Sequence, residues 1–268
     1  MYSRWWSDWQ ISRANENLSI LDIVDSGTVD FKLAGLLWLL MEHRASVLVA
    51  AGPIFAGKTT LLHALLDFLP PGIQQVSLRG YEEDFSFLNS NKPDKTYLVA
   101  EEISNHSYEY LWGYQVIKAF ELLAKGYALG STIHARNVEE VVFVLNALGL
   151  PLRLIACLGV VITLRVTSAR SYGDEPVRRI ETVSTVSLTR EGLVSQILTA
   201  RQSPGDKVFY PPEEVLNNVL LNKFGIKCGS ISSEMEHRQQ FLSQVRDKGM
   251  CSRKEVRKAI SEYQSRSS

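Results

Sequence analysis

The stretch Val47–Thr60, VLVAAGPIFAGKTT, constrains this chain more than any other. Its five apolar residues predict a buried strand, Gly52 and Gly57 bound a turn, and Thr60–Leu69 predicts an apolar helix stopped by Pro70 and Pro71. Gly52, Gly57, Lys58 and Thr59 fit G-x-x-x-x-G-K-[ST], the phosphate-cradling loop. Backbone N–H groups of such a loop and of the helix that follows point at phosphate oxygens, and the helix dipole adds to the attraction. Gly52, Pro53, Ile54, Phe55, Ala56, Gly57, Lys58, Thr59 and Thr60 are therefore the expected nucleotide-binding residues. Lys58 is expected to reach the β- and γ-phosphates, and the Thr59 hydroxyl to ligate Mg²⁺.

Around this stretch, strand and helix alternate. Gln74–Leu78, Thr96–Ala100 and Ala128–Ile133 predict strands. Helices are expected over Asp30–Met41, Tyr108–Ala124 and Asn137–Leu148, with Asp30 and Asn137 as N-caps. The alternation argues for a largely parallel sheet covered on both faces, with ligands at the carboxyl ends of its strands. Glu101-Glu102 and His134 each stand directly after a predicted strand, on the same rim as the loop. Beyond Leu150 the pattern changes. Gly159–Val166, Arg179–Leu188 and Leu193–Ala200 predict a β-meander, with Ser168–Glu175 a loop. From Glu213 the chain is helical and ends in a two-helix hairpin, Ser230–Lys248 and Ser252–Gln264, whose alternating charges suggest a solvated face. The expected organisation is a short N-terminal segment, 1–29, a nucleotide-binding domain, 30–202, and a C-terminal helical region, 203–268.

Lys plus Arg and Asp plus Glu both number 29 in 268 residues, so formal charge is zero and no basic excess points to nucleic acid. Cys157, Cys228 and Cys251 stand far apart, without disulfide or zinc spacing, which fits a reducing compartment. The start, MYSRWWSDWQISR, has no continuous apolar core of a signal peptide; Trp5, Trp6 and Trp9 with Ile11 form a patch expected to pack on the domain or on a neighbouring subunit. Leu33–Met41 and Leu154–Leu164 are too short to span a bilayer and are expected to be core.

Metal-assisted attack of water on a phosphate needs a metal ligand, a base and positive charge at the transition state. Successive strand residues point to opposite sides, so one of Glu101 and Glu102 is expected to face the nucleotide. His134 fits a role in sensing the γ-phosphate, with Thr132 as a partner, and Glu82, Glu83 and Asp84 offer a further carboxylate near the metal.

Three blocks carry a resemblance: GPIFAGKTT, then Pro93-Asp94 followed by TYLVAEEI, then GSTIHA at Gly130–Ala135. With them the chain resembles the motor ATPases of type II secretion, type IV pili and archaeal surface filaments, which include the type IV secretion ATPases. A weaker likeness to the archaeal-type branch runs through Ser19–Ile23, Ser26-Gly27-Thr28, Leu37–Leu40, His237-Arg238 and Ile260–Tyr263. The resemblance implies a RecA-like P-loop core that hydrolyses ATP with Mg²⁺, with Glu102 as catalytic glutamate and, beside Thr59, a metal ligand. Lys58 and His134 complete the implied catalytic set. It further implies a hexameric ring with ATP between subunits, cytoplasmic, working on an inner-membrane platform protein. The chain departs from the pattern at Arg79-Gly80, where Glu-Asp is usual, and at Ser104, where the family has arginine. Residues 1–29 are expected to be a remnant of the family's N-terminal domain. These departures fit a reduced motor or a slowly hydrolysing partner of another motor; a DNA-translocating motor is a further reading, disfavoured by neutral charge. Arg13, Arg79 and Arg153 are the arginines considered for action across a subunit interface.

Overall fold

In the computed structural model of the chain, residues 17–167, 176–202, 206–227, 229–250 and 252–267 are described. Trp5, Trp6, Trp9, Ile11, Arg13, the loop 168–175, Cys228 and Cys251 lie outside them.

Helices α1 (Ile20–Asp25) and α2 (Phe31–Glu42) precede strand β1 (Val47–Ala51). Then come α3 (Lys58–Leu66), β2 (Gln74–Ser77), β3 (Thr96–Val99), α4 (Tyr114–Leu123), β4 (Ala128–His134), α5 (Val138–Ala147), α6 (Leu152–Ile155) and β5 (Val160–Thr167). Strands β6 (Val177–Thr189), β7 (Gly192–Gln202) and β8 (Lys207–Phe209) follow, and α7 (Glu213–Phe224), α8 (Ile231–Asp247) and α9 (Arg253–Ser267) close the chain. Among the described residues, eight strands form one sheet in the order β2-β3-β4-β1-β5-β6-β7-β8. The first five are parallel and the last three join antiparallel, the meander that Val, Ile and Thr alternation predicted. This is the expected α/β, RecA-like core: β1 lies between β4 and β5, and β4 separates it from β3.

The period-two logic of a strand explains the two cores. Every residue of β1 is buried, with Val47, Val49 and Ala51 in the cluster under α1, α2, α3, α8 and α9, and Leu48 and Ala50 in the cluster under α4, α5 and α6. Trp38 of α2 anchors the first cluster. It stacks on Phe68 at 5.2 Å between centroids and meets Phe241 of α8 and Tyr263 of α9 edge-on at 5.7 and 5.2 Å.

The expected caps form. Asp30 Oδ1 accepts from Leu33 N at 2.7 Å and Asn137 Oδ1 from Glu140 N at 2.8 Å; Ser230 Oγ, a cap the sequence reading did not single out, accepts from Ser233 N at 3.2 Å. Two expectations change. The helix predicted from Tyr108 begins at Tyr114, because the preceding segment is tied to the end of β3: Leu111 N donates to Glu102 O at 2.8 Å and Ser104 N to Leu111 O at 3.1 Å. The C-terminal hairpin is not merely solvated. Met235, Leu242 and Val245 are buried, and Arg238 reaches across to Glu42 of α2 at 2.6 Å. Among the described residues, no helix is long and apolar enough to cross a membrane.

Candidate functional site

The loop between β1 and α3 emerges at the carboxyl rim, where the strand order reverses and open α/β sheets collect ligands. Pro53, Ile54 and Phe55 are exposed, whereas Ala56 and Lys58 are buried. Gly57 takes φ +86°, the left-handed conformation that lets the chain turn straight into α3. No side chain caps α3, whereas side chains cap α2, α5 and α8, and the first turn of α3 holds no acid. The amides of the loop and first turn thus face the rim without a protein anion, the donor set a phosphate fits. Thr59 and Thr60 stand in this turn, half-buried, and the Thr59 hydroxyl is the donor suited to a hard cation beside a phosphate.

Lys58, Glu102 and His134, from three separate strand ends, meet here. Lys58 Nζ lies 3.8 Å from Glu102 Oε2, His134 Nε2 lies 3.5 Å from Glu102 Oε1, and Lys58 Nζ and His134 Nε2 are 3.5 Å apart. The parallel pairing of β1 with β4 sets Ala51 opposite His134, which brings the imidazole to the loop. His134 Nδ1 faces the carbonyl of Gly52 at 3.4 Å; a hydrogen there leaves Nε2 free to accept from Lys58. Lys58 and Glu102 are 7 % and 8 % exposed. Burial pushes the Lys58 ammonium below the ordinary lysine range, and the neighbouring Glu102 carboxylate opposes that shift.

Glu101, the other member of the pair, turns away and lies 3.6 Å from His63 Nε2 on α3. Thr132 does not join the Lys58, Glu102 and His134 cluster: its hydroxyl donates to the Glu101 carbonyl at 2.8 Å and so ties β4 to the segment after β3. The acidic run after β2 folds on itself. Glu83 is buried and accepts from the backbone amides of Arg79 and Phe85 at 2.8 and 2.6 Å, and Asp84 binds the Arg79 guanidinium. The Ser86 backbone amide, then Arg79, lower the Asp84 carboxyl to about 2. Arg79 is thereby engaged within its own segment, and Arg153 stands exposed on α6.

Sequence reasoning missed several neighbours. His106, in the segment tied to β3, sets its ring 6.2 Å from that of His134. Burial, then the charges of Glu102, Glu101 and Glu109, push the Tyr110 phenol up. Arg136 and Arg178 flank the loop. Only Arg136 carried a local signal, standing two residues after His134; the others depend on chain pairing that no short pattern records.

No family model matches the chain. An uncharacterized protein of Methanocaldococcus jannaschii, MJ1287, is 26 % identical over 254 residues, covering 82 % of this chain and 89 % of the relative. A second from the same organism, MJ0900, is 24 % identical over 264 residues, covering 85 % of this chain but 45 % of the relative. Among solved structures, the VirB11 ATPase of the Brucella suis type IV secretion system aligns with TM-score 0.38 and 18 % identity, over 75 % of this chain and 57 % of that one. The Yersinia pseudotuberculosis ATPase DotB aligns with TM-score 0.39 and 13 % identity, over 90 % and 62 %. The chain thus spans less than two thirds of these solved proteins. The scores are low, and the fold assignment stands on the strand order.

Proposed function

We infer that the chain is a Mg²⁺-dependent ATPase whose turnover drives assembly of a pilus-like filament or protein secretion. The observation that carries this reading is the meeting of Lys58, Glu102 and His134 at the mouth of a loop whose amides have no protein anion to bind. In this reading Lys58 holds the β- and γ-phosphates, and Thr59 and Glu102 hold the metal, which supplies positive charge to the phosphoryl oxygens. The Glu102 carboxylate accepts a proton from the attacking water, and His134, which touches both Lys58 and Glu102, responds to the presence of the terminal phosphate. Glu102 Oε2 lies 3.8 Å from Lys58 Nζ, so in this reading a phosphate on Lys58 competes with the Glu102 carboxylate.

The chain works in this reading as a homo-oligomeric, hexameric ring at the cytoplasmic face of a membrane, against a platform protein; the three sequence blocks supply that part. Phosphate release by wild type and Lys58→Ala is the direct test, and equal low turnover under assembly conditions would sink the enzyme claim. The mass of the particle with and without an ATP analogue tests the ring.

One observation favours a second reading, a nucleotide-binding partner with little turnover. Glu83 and Asp84 are committed to the turn after β2, which takes two of that run's three carboxylates away from a metal beside Glu102. Tight nucleotide binding without phosphate release would select it.

A further inference from the structure

Two arginines stand at the two glycines of the loop. A Cβ on Gly52 would lie 2.7 Å from Cγ of Arg136, and one on Gly57 would lie 3.3 Å from Cδ of Arg178. They differ in charge balance. Arg136 is neutralised by Glu140, which takes its Nε–H at 3.0 Å and its backbone amide at 2.7 Å. Arg178, on β6, donates through Nε and Nη2 to the Phe55 carbonyl at 3.4 and 3.3 Å and through Nη1 to the Pro176 carbonyl at 3.4 Å. These bonds are at the long, weak end of the range. Among the described residues Arg178 meets carbonyls and no carboxylate; the nearby Asp206 is taken by Arg165, Arg179 and Arg201.

A guanidinium without a counter-charge, set beside the N-terminal residue of a helix, is electrostatically unfavourable, because the helix end carries partial positive charge. Lys58 adds a further cation within the same turn. The arrangement is explained by an anion that binds there. We propose that Arg178 is a phosphate-binding residue supplied by the same subunit: when a nucleoside di- or triphosphate enters the loop, its guanidinium leaves the Phe55 carbonyl and donates to a phosphate oxygen. This rests on the reading of the loop as a nucleotide site. It also ties β6, in the antiparallel part of the sheet, to occupancy of the loop.

The test is equilibrium binding of a fluorescent ADP and a non-hydrolysable ATP analogue to Arg178→Ala, Arg178→Lys, Arg178→Gln and Lys58→Ala, with apo melting temperatures alongside. Loss of a charged hydrogen bond to phosphate predicts about tenfold weaker binding in Arg178→Ala with an unchanged apo melting temperature. Lys, which keeps the charge, recovers part of the affinity, and Gln, which keeps only a donor for the Phe55 carbonyl, does not. Recovery by Gln and not by Lys makes Arg178 a brace for the loop and overturns the proposal. Should Arg178→Ala not fold, the order of Lys and Gln still decides. If Lys58→Ala loses nucleotide while Arg178→Ala binds as wild type, the Arg178 proposal alone fails. If Lys58→Ala also binds as wild type, the nucleotide-site reading fails with it.

Discussion

The charged groups at the rim and those beneath the C-terminal helices are built to different tolerances. Lys58, Glu102 and His134 stand 3.5–3.8 Å apart, close enough to attract and too far for strong hydrogen bonds. Arg238 binds Glu42 at 2.6 Å and Glu234 at 2.6 Å, and Arg253 takes both oxygens of Asp67 at 2.6 and 3.0 Å. A tight, bidentate pair fixes one helix on another and has nothing left to give. A loose pair such as Lys58 and Glu102 is desolvated yet exchangeable, with the half-buried His134 beside it, and under the proposed function a phosphate replaces the carboxylate on Lys58. Sequence alone does not separate the two kinds, since both are Lys or Arg near Glu or Asp.

The contrast breaks first at Glu102. Glu102→Gln keeps the shape of the site and removes the carboxylate proposed as the base, so turnover is expected to fall by about a hundred- to ten-thousandfold, the usual contribution of a positioned acid–base group. Nucleotide affinity should be kept or rise, because Lys58 loses its internal competitor. Phosphate release and fluorescent-nucleotide binding, measured on one preparation, check both halves. Turnover that survives would place Glu102 with the structural pairs.

Arg238→Ala is the reciprocal experiment. It leaves Glu42 partly buried without its partner, and breaking such a pair costs about 3 kcal/mol. The melting temperature should drop by several degrees while nucleotide affinity per folded molecule stays constant. A change in affinity at constant stability would show that the C-terminal helices feed the rim directly.

How legible this was follows from the range of each interaction. β1, its loop and α3 are contiguous, so glycine spacing and one apolar run were enough to give them. Glu102 and His134 were readable because strands end where they should and the rim rule brings strand ends together. The start of α4 was not: Tyr108–Leu111 have acceptable helix composition, but Leu111 pairs back to Glu102 across nine residues. Nor was Arg178, since its contact with Phe55 spans the whole parallel half of the sheet. The fate of Glu83 depended on a turn that folds its carboxylate inward, whereas its place after a strand had suggested a carboxylate near the metal. Local chemistry and the meeting of strand ends were visible; polar contacts made by loops and by the antiparallel strands were not.

A smaller effect tests the caps that shape the rim from outside. Asn137 starts α5 immediately after the segment that carries His134, and its side chain holds the Glu140 amide at 2.8 Å. Asn137→Ala should cost about 1 kcal/mol of stability by denaturant unfolding. Turnover should fall far less than in Glu102→Gln, because β4 is held independently by its pairing with β1 and β3.

The smallest expected effect lies between the two regions, at Asp206. Its carboxylate collects Arg179 at 3.0 Å, Arg165 at 3.3 Å and Arg201 at 3.5 Å, and so joins β5, β6 and β7 at the edge that carries Arg178. Desolvation works to raise its pKa, yet the hydrogen bond from Arg179 and the charges of Arg201, Arg179 and Arg165 prevail and hold it below the ordinary value of 3.8. A carboxylate whose folded pKa is depressed contributes stability that is full above the unfolded value and lost as pH falls through the folded one. Melting temperatures of wild type and Asp206→Asn should therefore differ by a constant amount at neutral pH and converge only below pH 3.8. Because the carboxylate is nearly half exposed, solvent and salt keep the gap small, and added salt should narrow it further. A gap that persists in acid would mean that Asp206 acts through its shape and not its charge, and the arginines of this edge would then be held by the sheet alone.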